Sequence, residues 1–330
     1  MRVFMTGATG FVGGALARKL VGAGHQVRAL VRPGADLRQL AGLPIQPVAG
    51  DLANGTALQH GMAGCEWVFH VAALYSYWGH SWPEFHESNV QGTRNLLEAA
   101  GQAAVQRVVY TSSIAVLGQN KDRSPANEAT PVRLQDMIGL YKRSKFLAEQ
   151  VATEFAGQGL PVVIVNPSAP VGTGDYKPTR TGQMILDFLH RRMFGYVDTG
   201  LNIVDVEDVA DGHLLAAKAG RVGERYILGG ENMTLKQLLD CLAEISGQPP
   251  VRLHIPHSVA MAWAYFDTGL ARMAPRHIPT ATPETVRLSR RCEYYDSGKA
   301  ARELGYTSKP ARQALTKAVE WYRANGYVKR

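Results

Sequence analysis

Arg2-Val3-Phe4-Met5-Thr6-Gly7-Ala8-Thr9-Gly10-Phe11-Val12-Gly13-Gly14-Ala15-Leu16-Ala17-Arg18-Lys19-Leu20 opens the chain and decides its architecture. A short apolar run, a glycine-rich turn and an alanine- and leucine-rich segment follow without a break, which reads as strand, turn and helix. Glycine at such a turn lets the backbone approach a pyrophosphate closely, and the helix N-terminus offers unpaired N–H groups and a positive dipole end. The spacing is G-x-x-G-x-x-G, one residue longer at the front than the usual dinucleotide fingerprint. A tight turn with no ligand is the plain alternative; the position directly after the first strand favours the dinucleotide.

Outward from that turn the pattern repeats. Residues 25–32 read as the second parallel strand, 45–48 as the third, 66–73 as the fourth, 107–113 as the fifth and 160–167 as the sixth, with helical periodicity over 89–100. Nearly continuous apolar runs such as Trp67-Val68-Phe69-His70-Val71 fit strands covered by helices on both faces. The alternation predicts an α/β fold with a Rossmann-type doubly wound parallel sheet, built mainly from residues 1–170, with ligands beyond the carboxyl ends of the strands. After Pro167 glycine and proline become frequent, so 171–330 are expected to form mainly a smaller substrate-binding lobe, with some segments returning to the sheet.

At the end of the second strand an acidic residue ordinarily accepts hydrogen bonds from the ribose of NAD. Arg32 stands there instead. Its guanidinium suits a 2′-phosphate, which favours NADP(H) over NAD(H); a solvated arginine at a strand end is the alternative.

Of the 330 residues, 45% are hydrophobic and 19% are charged, with a formal net charge of +8. That length and balance fit a soluble enzyme with a sizeable core. The basic residues are dispersed, and the one dense cluster, Arg287, Arg290 and Arg291, lacks the interleaved aromatics of a nucleic-acid groove, so an anionic small molecule is the preferred partner of the charge. Cys65, Cys241 and Cys292 are far apart and odd in number, which fits neither a disulfide framework nor a metal site and points to a reducing compartment. Gly7, Gly10, Gly13 and Gly14 interrupt the apolar N-terminus as a signal peptide, and no run reaches the roughly 20 apolar residues of a membrane-crossing helix. A cytoplasmic protein without an integral membrane segment is expected.

Tyr141-Lys142-Arg143-Ser144-Lys145 places a phenol and an ammonium four residues apart, on one face if the segment is helical. The same spacing recurs at Tyr295 and Lys299, but Gly298 lies between them and Ser297 reads as the cap of a helix starting there, which leaves Tyr295 outside it. A free phenol titrates near 10, at about the value where it is a poor base at neutral pH. Lys145, together with the positive charge of an oxidised nicotinamide, is expected to lower that value, so that Tyr141 takes a proton from a hydroxyl or returns one to a carbonyl. Ser112 and Ser113 fall at the fifth strand's end, and Ser113 is expected to hydrogen-bond the same substrate oxygen.

In the second lobe, Glu207 and Asp208 at a helix start complement its dipole, a simpler reading than a metal cluster. Residues 225–228 read as a short strand of that lobe, and Thr234 as the N-cap of the next helix. The aromatic segment 257–273 reads first as a core helix, with a substrate lid or a membrane-touching helix as alternatives. Segments 73–85, 168–183 and 257–273 are expected to line the substrate pocket, with Tyr75, Tyr77, Trp78, Trp82 and Trp263 among the lining residues.

The glycine turn, the Asp51 loop, Thr111-Ser112-Ser113, the Tyr141/Lys145 pair and Asn166-Pro167, in that order, resemble the extended short-chain dehydrogenase/reductase superfamily over nearly the whole chain. More narrowly, residues 141–147, 166–172, 197–202 and 226–232 resemble the bacterial hopanoid-associated sugar epimerases, part of the broader set similar to dihydroflavonol 4-reductase. The resemblance implies that Gly7, Gly10 and Gly13 hold the pyrophosphate, together with Thr9, Phe11 and Val12 of the same turn. It implies Arg32 on the adenosine phosphate, Asp51 and Leu52 on the adenine, and Ala72 and Ala73 beside the nicotinamide. Lys145 and Tyr141 would also touch the cofactor, as would Asn166, Pro167 and Ser168. Ser113 rather than Ser112 would be the catalytic serine, because it precedes the small-residue run Ile114-Ala115-Val116. A homodimer packed through the helices of Asn89 and Tyr141 is the family expectation, and no metal is expected.

The leading reading is an NADP(H)-dependent oxidoreductase acting on a secondary alcohol or ketone of a small molecule, sugar-like or lipid-linked, in hopanoid metabolism. A nucleotide-sugar epimerase with tightly retained NAD is the first alternative, which Arg32 disfavours. A non-catalytic cofactor-sensing scaffold is the second, which the intact Tyr141 and Lys145 disfavour.

Overall fold

A computed structural model describes the chain except Tyr77, Trp78, Pro275, Arg276, Ile278, Lys329 and Arg330. In chain order the strands are β1 (Arg2–Thr6), β2 (Gln26–Val31), β3 (Ile45–Ala49), β4 (Trp67–His70), β5 (Arg107–Thr111), β6 (Val162–Pro167), β7 (Ala169–Val171), β8 (Gly195–Tyr196), β9 (Gly200–Asp205), β10 (Arg225–Leu228), β11 (Glu231–Thr234) and β12 (Leu253–His254). The helices are α1 (Phe11–Gly22), α2 (Gly55–Met62), α3 (Trp82–Phe85), α4 (Gly92–Gln102), α5 (Leu140–Gly157), α6 (Arg180–Leu189), α7 (Val206–Ala219), α8 (Leu235–Ser246), α9 (His257–Met273), α10 (Pro283–Leu288), α11 (Gly298–Leu304) and α12 (Ala311–Ala324).

Seven strands form one sheet in the order β10-β6-β5-β4-β1-β2-β3, and every neighbouring pair is parallel. Apolar residues on both faces of the sheet are buried, against α1 and α7 on one side and against α2, α4 and α5 on the other. Parallel strands need that double cover. The chain winds outward from β1 to β3, then starts again at β4 and winds the other way. The crevice beyond β1 and β4 is therefore the topological switch point, the place where such sheets bind ligands. This is the Rossmann-type doubly wound fold that the sequence predicts.

One strand departs from the expected assignment. Residues 225–228 do not belong to the second lobe: β10 pairs in parallel with β6 and extends the main sheet by a seventh strand. Tyr226, Ile227 and Leu228 are fully buried, and the Ile227 N–H finds the Glu128 carboxylate at 2.8 Å. An apolar run of this kind gains most where both faces are covered and its polar backbone is answered.

The rest of the second half builds the three-stranded sheet β11-β9-β7 and the pair β12-β8, packed with α6, α8 and α12 into a separate apolar cluster. Thr234 caps α8 as expected, accepting from Gln237 N. The reading of 257–273 as a core helix is corrected: in α9 only Ala264, Asp267 and Ala271 are buried, and the large side chains face out. Its inward stripe is made of small residues, so the helix sits close to the lobe and leaves its bulk outside. Among the described residues no helix is long and apolar enough to cross a membrane.

Candidate active site

The glycine turn is built by close approach. Gly7 has φ 75°, and a Cβ there would stand 2.6 Å from the Ala72 nitrogen. A Cβ on Gly13 would run into the Gly7 carbonyl. Only glycine lets α1 lie this near β1 and β4. The N-terminus of α1 carries no side-chain cap and no acidic residue in its first turn, and Gly7, Gly10, Phe11, Val12 and Gly13 line a cleft of about 750 Å³. An open, carboxylate-free helix start of this kind suits a phosphate group.

From the turn the cleft continues past Ala73 and Tyr75, over Ser112 and Ser113, along Tyr141 and Lys145, and past Pro167 and Ser168 into the second lobe. The helix α5 brings Tyr141, Ser144, Lys145, Ala148, Glu149 and Ala152 onto one buried face, the spacing a helix demands. Lys145 Nζ donates to Tyr110 Oη at 2.9 Å and to the Thr111 carbonyl at 2.8 Å. Burial lowers its pKa to about 7, against the opposing pull of Glu149. Tyr141 shares a hydrogen bond with Ser113, and its ring meets Tyr75 edge-on at 4.9 Å.

Among the protein's own groups, Lys145 is not what governs the Tyr141 pKa. Burial pushes the phenol well above its ordinary value, and the Ser113 hydrogen bond is the influence that opposes it. The reason is geometric. The Lys145 ammonium is turned to the end of β5, and it is itself desolvated toward neutrality.

Behind this wall lies support whose role the sequence reading missed, Asn166 being expected there only as a cofactor contact. Asn166 is fully buried and donates to the Ser113 carbonyl at 3.0 Å and to Glu149 at 2.8 Å. Arg225 of β10 reaches the same Glu149 at 3.1 Å. Asn89 exchanges hydrogen bonds with the Leu74 backbone and donates to Ser144 Oγ at 2.9 Å, joining the loop after β4 to the Tyr141 helix. It sits in a π-helical turn, His86–Gln91, that precedes α4 where a single helix was read. Glu149 has no role in the sequence reading either, although its place four residues after Lys145, on the same helical face, is a signal that could have found it. Ser112 Oγ and Ser168 Oγ are buried, line the cleft and lack a hydrogen-bond partner among the described residues; with the uncapped helix start, they fit a polar ligand such as a dinucleotide.

Other predicted residues lie outside the enclosed cleft. Arg32 is exposed just past β2, and Asp51 accepts from Ala53 and Asn54 N–H at 3.0 and 3.1 Å, which shapes its own loop. Leu52 packs against Gly92, the Ala72 N–H donates to Thr6 Oγ1 at 3.2 Å, and Thr9 is half-buried in the turn. Trp82 and Trp263 do not line the cleft: Trp82 stacks with the Arg143 guanidinium, and Trp263 faces outward. Tyr77 and Trp78 lie outside the described residues. The second tyrosine–lysine pair is structural, since Tyr295 Oη donates to the Ile114 carbonyl at 3.1 Å and Lys299 pairs with Glu224 at 2.6 Å. At the start of α7, Asp205 and Glu207 are answered by Lys317, and Asp208 by Lys309.

Residues 3–229 match the model of the NAD dependent epimerase/dehydratase family. The chain belongs to that family. It is 45% identical to a putative dihydroflavonol 4-reductase from Synechocystis sp., over 99% of this chain and 96% of that protein. It is 36% identical to sterol demethylase protein B from Methylococcus capsulatus, covering 99% of this chain and 100% of the relative. A 4-hydroxy-2-methyl-3-oxo-4-farnesyl-3,4-dihydroquinoline-1-oxide ketoreductase from Stigmatella aurantiaca is 35% identical over 95% and 94% of the two chains. Among solved structures, gox2253 superposes with TM-score 0.89 at 45% identity, covering 99% of each chain. A nucleoside-diphosphate-sugar epimerase from Pseudomonas aeruginosa follows with TM-score 0.82 at 28% identity, over 100% of this chain and 99% of that one. Family members of this kind are reductases, dehydrogenases and epimerases, so this protein is an enzyme of the extended short-chain dehydrogenase/reductase type.

Proposed function

We propose that the enzyme is an NADP(H)-linked oxidoreductase that interconverts an apolar ketone and its secondary alcohol, with Tyr141 as the acid or base. The convergence of Ser113, Tyr141 and Lys145 on one wall of the cleft carries this reading. Bound nicotinamide dinucleotide would supply or accept the hydride. Tyr141, kept protonated by burial, is in the form that gives a proton to a carbonyl oxygen. Ser113 holds that same oxygen through its hydroxyl. Lys145 would hold ribose hydroxyls of the bound cofactor and, as an ammonium, would stabilise the phenolate left after transfer.

Arg32 supports NADP(H), because it stands exposed at the carboxyl end of β2, and the nearby Asp36 carboxylate is held by Arg38 at 2.7 Å. The cleft's far wall supports an apolar substrate: Val197, Leu201, Ile255, Val286 and Leu288 line it. Relatives named for a sterol and for a farnesylated quinoline lie in the same family, and a hopanoid-linked carbonyl or sugar-like group falls within that class. The epimerase reading draws on Arg180, a cation in the cleft wall. Glu293 and Glu284 both feel the Arg180 charge, which leaves it a weak seat for a nucleotide diphosphate. A homodimer through α4 and α5 is proposed from the family resemblance, and light scattering measures it.

The deciding experiment is the cofactor content of the purified protein together with turnover on ketone and sugar-nucleotide panels. Exchangeable NADPH consumed with an apolar ketone is the expected result. Retained NAD with interconversion of two sugar nucleotides, and no net cofactor consumption, would overturn it.

A further inference from the structure

The helix α9 has its apolar side outward. Val259, Trp263, Phe266, Leu270 and Met273 form one stripe by helical spacing and are 57%, 51%, 63%, 42% and 85% exposed. The adjoining stripe, Ala260, Ala264, Asp267 and Ala271, faces the lobe. Its single carboxylate, Asp267, is buried and satisfied by Thr280 and His277. Two more exposed apolar side chains belong to the β8–β12 pair, where Leu253 stands opposite Gly195 and Phe194 directly precedes it.

Charge accompanies this patch. Residues 252–291 carry six arginines against two carboxylates, half of the chain's net charge of +8. Both carboxylates are withdrawn from the surface: Asp267 is anchored as above, and Glu284 lies beside Arg180 and Lys142 with its pKa raised by burial. Arg252, Arg272 and Arg287 are exposed, and Arg287 reaches Tyr265 Oη at 3.2 Å. Nearby Asp198 is paired with His254.

We propose that this face docks on the surface of an anionic lipid bilayer, with α9 lying in the interface plane and the arginines on the headgroups. A helix with an exposed stripe of Trp, Phe, Leu and Met, arginines beside it and no exposed carboxylate of its own has the composition that partitions there. A second copy of the chain fits less well. A 17-residue helix face is about 25 Å long and about 10 Å wide, far below the roughly 800 Å² per partner of a stable dimer. A two-fold contact would also oppose arginine to arginine. Ala260 on the inner side of α9, and Ile255 just before it, line the cleft, so docking sets the substrate arm against the membrane. That last consequence rests on the apolar-substrate reading above; the docking itself does not.

The test is co-sedimentation of the full chain with vesicles of equal parts phosphatidylglycerol and phosphatidylcholine, and with vesicles of phosphatidylcholine alone. Binding to the anionic vesicles, weakened by salt, is expected. The exposed double variant Trp263→Asp, Phe266→Asp should bind at least about tenfold more weakly while its turnover of a water-soluble ketone stays at the wild-type level. Absence of wild-type binding overturns the proposal, as does equal binding by the variant. A wild-type dimer that the double variant splits, measured by light scattering, also overturns it in favour of a second copy. If no ketone is turned over, vesicle binding still reads the docking surface alone, with circular dichroism as the check on the variant's fold.

Discussion

Tyr141 and Lys145 share a helical face as their spacing demands, but burial sets their protonation in a way that spacing does not reveal. Replacing Tyr141 with Phe should lower turnover by about 10²- to 10⁴-fold and leave cofactor affinity unchanged; turnover within a few-fold of wild type would remove Tyr141 from the chemistry. Lys145 titrates at about 7 in the fold, below its ordinary 10.5. Between those values the folded chain binds fewer protons than the unfolded chain, so this residue makes stability rise with pH across that window. Its full penalty applies below about 7. Lys145→Met should therefore be more stable than wild type at pH near neutrality, by on the order of a few kcal/mol. The difference should close as pH approaches the ordinary lysine value, and urea unfolding at both ends of the window measures it. Arg32→Asp should move the ratio of NADP to NAD affinity toward NAD by at least about tenfold, read by titration of each cofactor.

At the scale of elements, the strand, turn and helix at the N-terminus were legible because glycine there answers a steric demand. Gly13→Ala sets a methyl group against the Gly7 carbonyl, which should cost about 1–3 kcal/mol and weaken cofactor binding. Gly22 in the last turn of α1 has no atom within 4 Å of an added Cβ, and Gly22→Ala should gain about 0.4–1 kcal/mol. Thermal unfolding of the two variants reads the contrast within one helix. The α9 helix is the opposite case. Its aromatic content was visible, but a sequence with apolar residues on most sides does not say which stripe turns inward. The small stripe won, because alanines let the helix approach and the Asp267 carboxylate has its partners there.

Across the whole molecule, the site depends on contacts between segments far apart in the chain. Arg225 enters the main sheet with β10, bonds the buried Glu149 of α5 and donates to the Glu128 carbonyl at 2.7 Å. Glu149 in turn takes Asn166, which holds the Ser113 carbonyl. Arg225→Met should leave Glu149 with a deficient shell and cost about 3 kcal/mol, measured by chemical denaturation. Those two residues are 76 apart in sequence, so no local pattern could have joined them.

The main run of strands and helices, the glycine turn, the shared helical face of Tyr141 and Lys145 and the separation of Tyr295 from the helix of Lys299 were determined by sequence alone, because each follows from local sterics and helical or strand periodicity. The tertiary structure decided that β10 completes the sheet, that Lys145 turns to Tyr110 and Thr111, that Asn166 and Glu149 brace the serine, and that α9 shows its aromatics to the outside. Each of these depends on which distant surface becomes available to cover a segment or answer its charge, and only the assembled fold supplies that surface.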